Sequence, residues 1–349
     1  MQSDRPIFIV GCPRSGTTLL QLMMHAHPRI AIPPETRFVM SAYGRRLSFG
    51  DLEDPARRRK LADWIVNRRQ SRFYELGLDG EKVTEEIVAG PGTLGSALGI
   101  VLRSYAERFG KPRWGDKRPS YFQSVDVLLR LFPDAQIIHL IRDGRDCVAS
   151  LKEMPWYKGN VYSAVSGWAE AIDFARNARR RLPADTYHEL QYEHLISDPE
   201  GTLRKLCDFI GEEFSPAMCE PHRLASVAVP ERKTWHSRTH GAVTTARSGS
   251  WRYRLEPWEI SLCETVLRDR LEAYGYELSG APKAPLAKLA AYRRMASRRR
   301  FSRMRKRMFD RVVRMREPNP VAARLTSMQL ALAGMPQPRV VETPELAAK

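Results

Sequence analysis

Short apolar runs alternate with helix-period stretches along the first two thirds of the chain. Pro6-Ile7-Phe8-Ile9-Val10 is brief, apolar and rich in β-branched residues, the pattern of a buried strand. Gly11-Cys12-Pro13-Arg14-Ser15-Gly16 follows as a turn-rich loop. From Thr17 to His27 the apolar residues recur at helical spacing, and Pro28 stops the pattern. A second unit of the same kind lies further on. Ala135 to Ile141 reads as a strand, Arg142-Asp143-Gly144-Arg145-Asp146 as its turn, and Cys147 to Glu153 as the opening of a helix. A third strand is predicted over Thr186 to Leu190 and a helix from Asp198 to Ile210. Strands alternating with helices predict an α/β class fold in three layers, a central parallel sheet flanked by helices. No internal repeat of fixed period occurs.

Two stretches interrupt this alternation. Residues 45–95 are polar and helical in pattern, with Gly90-Pro91-Gly92 near the end, and read as an insertion that could cover a pocket. Residues 216–247 are irregular and rich in His, Arg and Thr, and read as a segment near the site. The 349 residues suit one domain over 1–281 with a tail over 282–349. No apolar run approaches the roughly 20 residues of a membrane span. The start lacks the basic region of a secretory signal, so a cytoplasmic location is expected. The five cysteines are scattered, with no CxxC pair, which predicts free thiols rather than disulfides or a zinc site.

Charge changes the picture only in the tail. Of the formal +17, a net +13 falls between Pro282 and Lys349, so the rest of the chain is nearly balanced. Residues 293–316 hold twelve Lys+Arg and one acid, Asp310, interleaved with Met, Phe and Val. This predicts a basic amphipathic helix. An anionic membrane surface, the chain's own domain, a second subunit in a homo-oligomer and nucleic acid all stay open as its partner. The first of these would put the chain at the inner face of a membrane, as a peripheral protein. The proline-rich end beyond it is expected to be extended or disordered.

The loop Gly11 to Thr18 has the spacing G-x-x-x-x-G of a phosphate cradle at a helix N-terminus, which makes the fold P-loop-like. A nucleotide kinase would have Lys after the second glycine. Thr17 stands there instead, and the cation sits earlier, at Arg14. Such a loop suits a donor with one 5′-phosphate capped by another group. Pro13-Arg14-Ser15-Gly16-Thr17-Thr18-Leu19 resembles the 5′-phosphosulfate loop of sulfotransferases that use 3′-phosphoadenosine 5′-phosphosulfate (PAPS). Ile141-Arg142-Asp143-Gly144-Arg145-Asp146 through Ser150 resembles their 3′-phosphate motif, in which an Arg after a strand and a Ser further on bind that phosphate. The resemblance extends to tyrosylprotein and bacterial carbohydrate sulfotransferases and covers residues 6–280. It implies PAPS as donor, no metal, and a cofactor set of Arg14, Ser15, Gly16, Thr17, Thr18, Arg142, Ser150 and Tyr192. Arg247 and Gly249 join that set through a late basic loop, Arg247 to Arg252. Arg145 reads either as a further phosphate contact or as a surface ion pair.

The same resemblance implies a catalytic set. Pro33-Pro34-Glu35-Thr36-Arg37-Phe38 is similar to the segment that supplies a general base, which makes Glu35 the base. An acceptor hydroxyl has a pKa far above 7, so a positioned carboxylate aids its deprotonation. Arg37 could hold Glu35 ionised. Gly115-Asp116-Lys117-Arg118-Pro119-Ser120 resembles the family's Lys-containing loop, with Lys117 beside Arg14 neutralising charge on the leaving oxygen. His139, His25 and His27 read as structural, while His236 and His240 could line the acceptor site. Trp156, Tyr157, Tyr162 and Trp168 are candidate pocket walls. Met154 occupies a place where the tyrosylprotein enzymes carry another Arg, which argues against protein tyrosine as acceptor. Sugar, phenol, lipid and steroid acceptors stay open. The competing readings are an ATP-dependent phosphotransferase and a non-catalytic nucleotide-binding membrane adaptor.

Overall fold

Strands β1 (Ile7–Gly11), β2 (Ile30–Ala31), β3 (Arg113–Lys117), β4 (Gln136–Ile141) and β5 (Tyr187–Gln191) form one sheet in the order β2-β3-β1-β4-β5. Every neighbouring pair is parallel. The structure, a computed structural model, describes residues 3–224, 244–245 and 247–324. Successive side chains of a strand point to opposite faces, and β1 shows the consequence. Phe8 and Val10 enter one apolar cluster, with Ile137 and Trp168, while Ile7 and Ile9 enter another, with Leu20, Ile138 and Leu206. Both faces of the sheet are therefore covered by helices, giving the three layers that the alternation predicts.

The helices are α1 (Thr17–Ala26), α2 (Phe38–Arg45), α3 (Pro55–Asn67), α4 (Gly80–Ala89), α5 (Leu94–Glu107), α6 (Val125–Leu131), α7 (Gly144–Lys152), α8 (Val161–Arg181), α9 (Tyr192–Ser197), α10 (Pro199–Ile210), α11 (Trp251–Arg254), α12 (Pro257–Glu272) and α13 (Leu286–Arg314). Residues 45–95 are helical, as their pattern suggests, and hold α3, α4 and three 3-10 turns. Helix α7 starts three residues before the predicted Cys147, because the Asp143 carboxylate accepts from the Arg145 N–H and caps it.

Strand β3 is a correction. Its Arg-Trp-Gly-Asp-Lys sequence hides the strand, and Lys117 is its last residue, not part of a loop. All five of its residues are buried, and its charged side chains are matched by partners. Arg113 donates to the carbonyls of Arg5 (2.9 Å) and Ile210 (2.8 Å) and to Glu212 (3.1 Å). Asp116 accepts from Thr36 (2.8 Å) and Tyr121 (2.7 Å).

The basic tail forms a helix seven residues longer at its start than predicted, and α13 lies against α8 and α2. Arg299 and Arg303 pair with Glu170 of α8, and Asp310 pairs with Arg46 just after α2. Within residues 216–247, Pro216–Cys219 and Pro221–Leu224 are 3-10 turns. His236, His240 and the part of the proline-rich end beyond Arg324 lie outside the described residues, whereas Pro318 and Pro320 lead into a packed segment in which Val321 is buried and its carbonyl accepts from the Gly95 N–H at 2.7 Å.

Candidate active site

The loop after β1 requires glycine twice. A Cβ on Gly11 would come 2.6 Å from the carbonyl of Leu140, its neighbour on β4. Gly16 has φ 97°, and a Cβ there would sit 2.4 Å from the Tyr192 ring. Arg14 also adopts a left-handed φ of 73°, a conformation that costs an L-residue about 1–2 kcal/mol and marks a held turn. The Ser15 N–H donates to the Cys12 carbonyl at 3.1 Å and closes the turn. Gly16 is the N-cap of α1 and offers no side chain to the first-turn N–H groups. Those groups, with buried Thr17 and partly buried Thr18 following, face the loop as a site for an anion.

Four further predicted residues converge on this loop. Arg142 leaves the end of β4 and donates from Nη1 to the Arg14 carbonyl (3.1 Å) and from Nη2 to the Arg247 carbonyl (2.6 Å). Its guanidinium lies 4.4 Å from the centre of the Tyr192 ring. Arg14 Nε donates to Ser150 Oγ, two turns into α7, at 3.0 Å. Burial, with Arg142 close by, pushes the Arg14 guanidinium below its ordinary pKa. An anion in the cleft would offset both effects by pairing with the guanidinium groups. Ser15 Oγ and Arg142 Nε are buried without a hydrogen-bond partner, and such orphans mark a place for a ligand that supplies one.

Sequence reading missed Asp146. Its buried carboxylate accepts from the N–H groups of Gly249 and Trp251 (2.8 Å each) and from Ser250 Oγ (3.0 Å). It also lies 3.8 Å from Arg142. This one side chain fastens the late loop with Arg247 and Gly249 (φ 72°) onto the start of α7. The D-G-R-D run carries the signal, since a second acid on a first helical turn has no capping work left once Asp143 is the cap. Arg145 is corrected in turn. It is neither a phosphate contact nor a surface pair, but a buried guanidinium held by Asp143 (2.7 Å) and Glu264 (2.6 Å) and lying over Trp251. Trp168 is core rather than pocket wall. Its ring packs on Gly144 and its Nε1–H donates to the Arg142 carbonyl at 2.9 Å.

On the other side of β1, Lys117 leaves β3 and donates from Nζ to Thr18 Oγ1 at 3.3 Å. The cation missing after Gly16 thus reaches the first turn of α1 from the neighbouring strand. Burial lowers the Lys117 pKa, and Glu35, the largest opposing influence, raises it. The segment carrying Glu35 is fixed by α1, because Gln21 Nε2 donates to the carbonyls of Ile32 (3.3 Å) and Pro33 (2.8 Å). Glu35 Oε1 pairs with Arg118 Nε at 3.8 Å, and its side chain stays 28% exposed. The Arg37 side chain points to solvent. Arg72, from the 45–95 stretch, has a left-handed φ of 63° and donates to the Glu35 carbonyl at 3.5 Å. Arg14 and Arg72 are the two non-glycine residues with positive φ among the described residues, and both stand at this cleft.

The buried histidines are structural. His139 Nδ1 bonds the Tyr187 hydroxyl (2.8 Å), His25 Nδ1 accepts from the Ile32 N–H (3.2 Å) and His27 Nε2 bonds the Glu213 carbonyl (2.8 Å).

The arrangement has relatives. The chain is 26% identical over 220 residues to a protein-tyrosine sulfotransferase of Drosophila melanogaster, covering 61% of this chain and 39% of that one. It is 26% identical over 293 residues to protein-tyrosine sulfotransferase 1 of Danio rerio, covering 80% and 74%. Against the fly, Caenorhabditis elegans and Gallus gallus proteins the chain spans about half the length of the curated relatives it matches, between 39% and 54%. Among solved structures, the sulfotransferase domain of the Synechococcus PCC 7002 olefin synthase superposes with a TM-score of 0.55 at 24% identity, covering 79% of this chain and 96% of that one. The sulfotransferase domain of the curacin biosynthetic pathway gives 0.54 at 21% identity, covering 80% and 100%. These two share the fold. Residues 6–216 match the model described as "Sulfotransferase family", and on that match over more than half its length the chain belongs to the sulfotransferase family.

Proposed function

We propose that the protein transfers a sulfuryl group from PAPS to an acceptor hydroxyl or amine. The observation that carries this reading is the meeting of Arg14 and Arg142, each at the carboxyl end of a strand, around an orphaned Ser15 Oγ and Arg142 Nε. Open α/β sheets bind ligands at such strand ends. In this reading the first-turn N–H groups, Ser15, Gly16, Thr17 and Thr18 hold the 5′-phosphosulfate. Arg142, Ser150, Arg247 and Gly249 hold the 3′-phosphate, and Tyr192 packs against the nucleotide. Arginine suits forked contact with phosphate oxygens.

Glu35 takes the proton of the acceptor as the new S–O bond forms, and the bond between sulfur and the phosphate oxygen breaks in line. Adenosine 3′,5′-bisphosphate leaves with the charge that bond releases. Lys117 and Arg14 stand where that charge develops, and fixed cations in a buried site stabilise it more than water would. The partial exposure of Glu35 at the cleft supports its reading as the base. The 45–95 stretch, which brings Arg72 to the Glu35 carbonyl, supports its reading as an acceptor cover.

Calorimetry with adenosine 3′,5′-bisphosphate against ATP–magnesium tests the donor. The bisphosphate is expected to bind at about micromolar or better without metal, and Arg142→Ala to weaken it by on the order of 2 kcal/mol, or about 30-fold. Binding of ATP–magnesium alone would sink the reading in favour of a phosphotransferase.

A further inference from the structure

We infer that α13 docks the enzyme onto an anionic phospholipid surface through an exposed apolar stripe. The helix runs 29 residues and none of them is buried. Six large apolar side chains stand exposed on or just past its second half, Phe301, Met304, Met308, Phe309, Val312 and Met315. At about 100° per residue, five of them fall in one stripe with Phe309 at its edge. The residues that fasten the helix to the body, Arg299, Arg303, Asp310 and Arg314, cluster on a face about 150° away from that stripe. Their partners are Glu170, Arg46 and Asp126. The helix is therefore pinned by its polar back with its apolar face outward, the reverse of an ordinary surface helix.

The flanks of the stripe identify the partner. Residues 293–316 carry twelve Lys+Arg, and only Arg299, Arg303 and Arg314 of these form ion pairs among the described residues. Of the other nine, Arg298, Arg305 and Arg316 border the stripe on one side and Arg293, Arg300 and Arg311 on the other. A second copy of the chain would set these cations against their like. A nucleic acid would use the cations but leave Phe301 and Met308 in water. An anionic bilayer satisfies both, with apolar side chains entering the headgroup boundary and guanidinium groups meeting phosphate.

Sedimentation of the full chain with vesicles tests this, comparing phosphatidylcholine alone with a mixture containing phosphatidylglycerol. The mixed vesicles are expected to bind on the order of tenfold more tightly or better, with the difference shrinking in high salt. The variant Phe301→Ser/Met308→Ser/Phe309→Ser and the variant Arg305→Gln/Lys306→Gln/Arg307→Gln should each lose on the order of tenfold in partitioning. All six positions are exposed, so both variants should keep the thermal unfolding temperature of the parent. Equal binding to both vesicle types, loss in the Gln variant alone, or a dimer in ultracentrifugation without vesicle binding would each overturn the inference.

Discussion

Arg14 Nε donates to Ser150 Oγ at 3.0 Å, joining the loop after β1 to helix α7 across 136 positions of the chain. The sheet makes this contact unavoidable. Strands β1 and β4 are parallel and adjacent, with Gly11 opposite Leu140. The turn that follows each strand therefore emerges beside the other, and the helices that open after them, α1 and α7, present their N-termini to one cleft. Tyr192, at the end of the next strand over, fills the space against Gly16 and Arg142. Three consecutive strands of the sheet thus each contribute one wall of the candidate donor site.

Asp146 should matter as much to this cleft as the arginines. Replacing it with Ala leaves two N–H groups and a hydroxyl of the late loop without their acceptor, and removes the carboxylate beside Arg142. The expected cost to stability is on the order of 3 kcal/mol, since buried donors that lose a partner forfeit their hydration. Because Arg247 hangs on this loop, affinity for adenosine 3′,5′-bisphosphate should fall by about tenfold or more at temperatures where the variant is folded. Urea unfolding and calorimetry on the same preparation separate the two effects. Unchanged affinity in a destabilised but folded variant would show that the late loop does not hold the ligand.

The elements legible in the sequence are those whose burial is apolar. Strands β1 and β4 are nearly continuous runs of Ile, Val and Leu, and their glycine-bearing turns follow directly. Strand β3 was hidden because a buried strand can be polar when every charge finds a partner, as Arg113 and Asp116 do. Residues that act through their own turn, such as Arg14 and Gly16, could be read locally. Asp146, Gln21 and Arg72 could not, because their partners lie 103, 12 and 37 positions away and only the fold brings them near. Arg145 shows the converse, a charged residue in a motif that burial turns into a structural ion pair.

Glu35→Gln separates binding from turnover. The amide keeps the shape of the side chain at the edge of the cleft but cannot take a proton. If Glu35 is the base, turnover with PAPS and a competent acceptor should fall by roughly 10²–10⁴-fold, with affinity for adenosine 3′,5′-bisphosphate nearly unchanged. The pairing with Arg118 is long and partly solvated, so its loss should contribute well under about 1 kcal/mol to any change in stability. A variant that retains parental turnover would remove Glu35 from the mechanism and leave the donor site untouched.

His25 and His139 each withdraw stability as the solution is acidified below pH 6.5. Burial lowers the pKa of His25 to about 3 and that of His139 to about 4, from an ordinary 6.5. Between pH 6.5 and about 4 the unfolded chain binds a proton at each histidine and the native state binds neither, so lower pH favours unfolding. Each histidine contributes at most about 1.4 kcal/mol per pH unit across that window. His139→Phe isolates one of them. The ring stays aromatic among Phe122, Phe174 and Tyr187, and the Tyr187 hydroxyl keeps its bond to Glu189 at 3.1 Å. Urea unfolding at intervals from pH 7 to 5 should show the parent losing stability more steeply than the variant, the gap widening by up to about 1.4 kcal/mol per unit. Parallel curves would mean that His139 takes up its proton in the native state as readily as in water, against the burial that its neighbours impose.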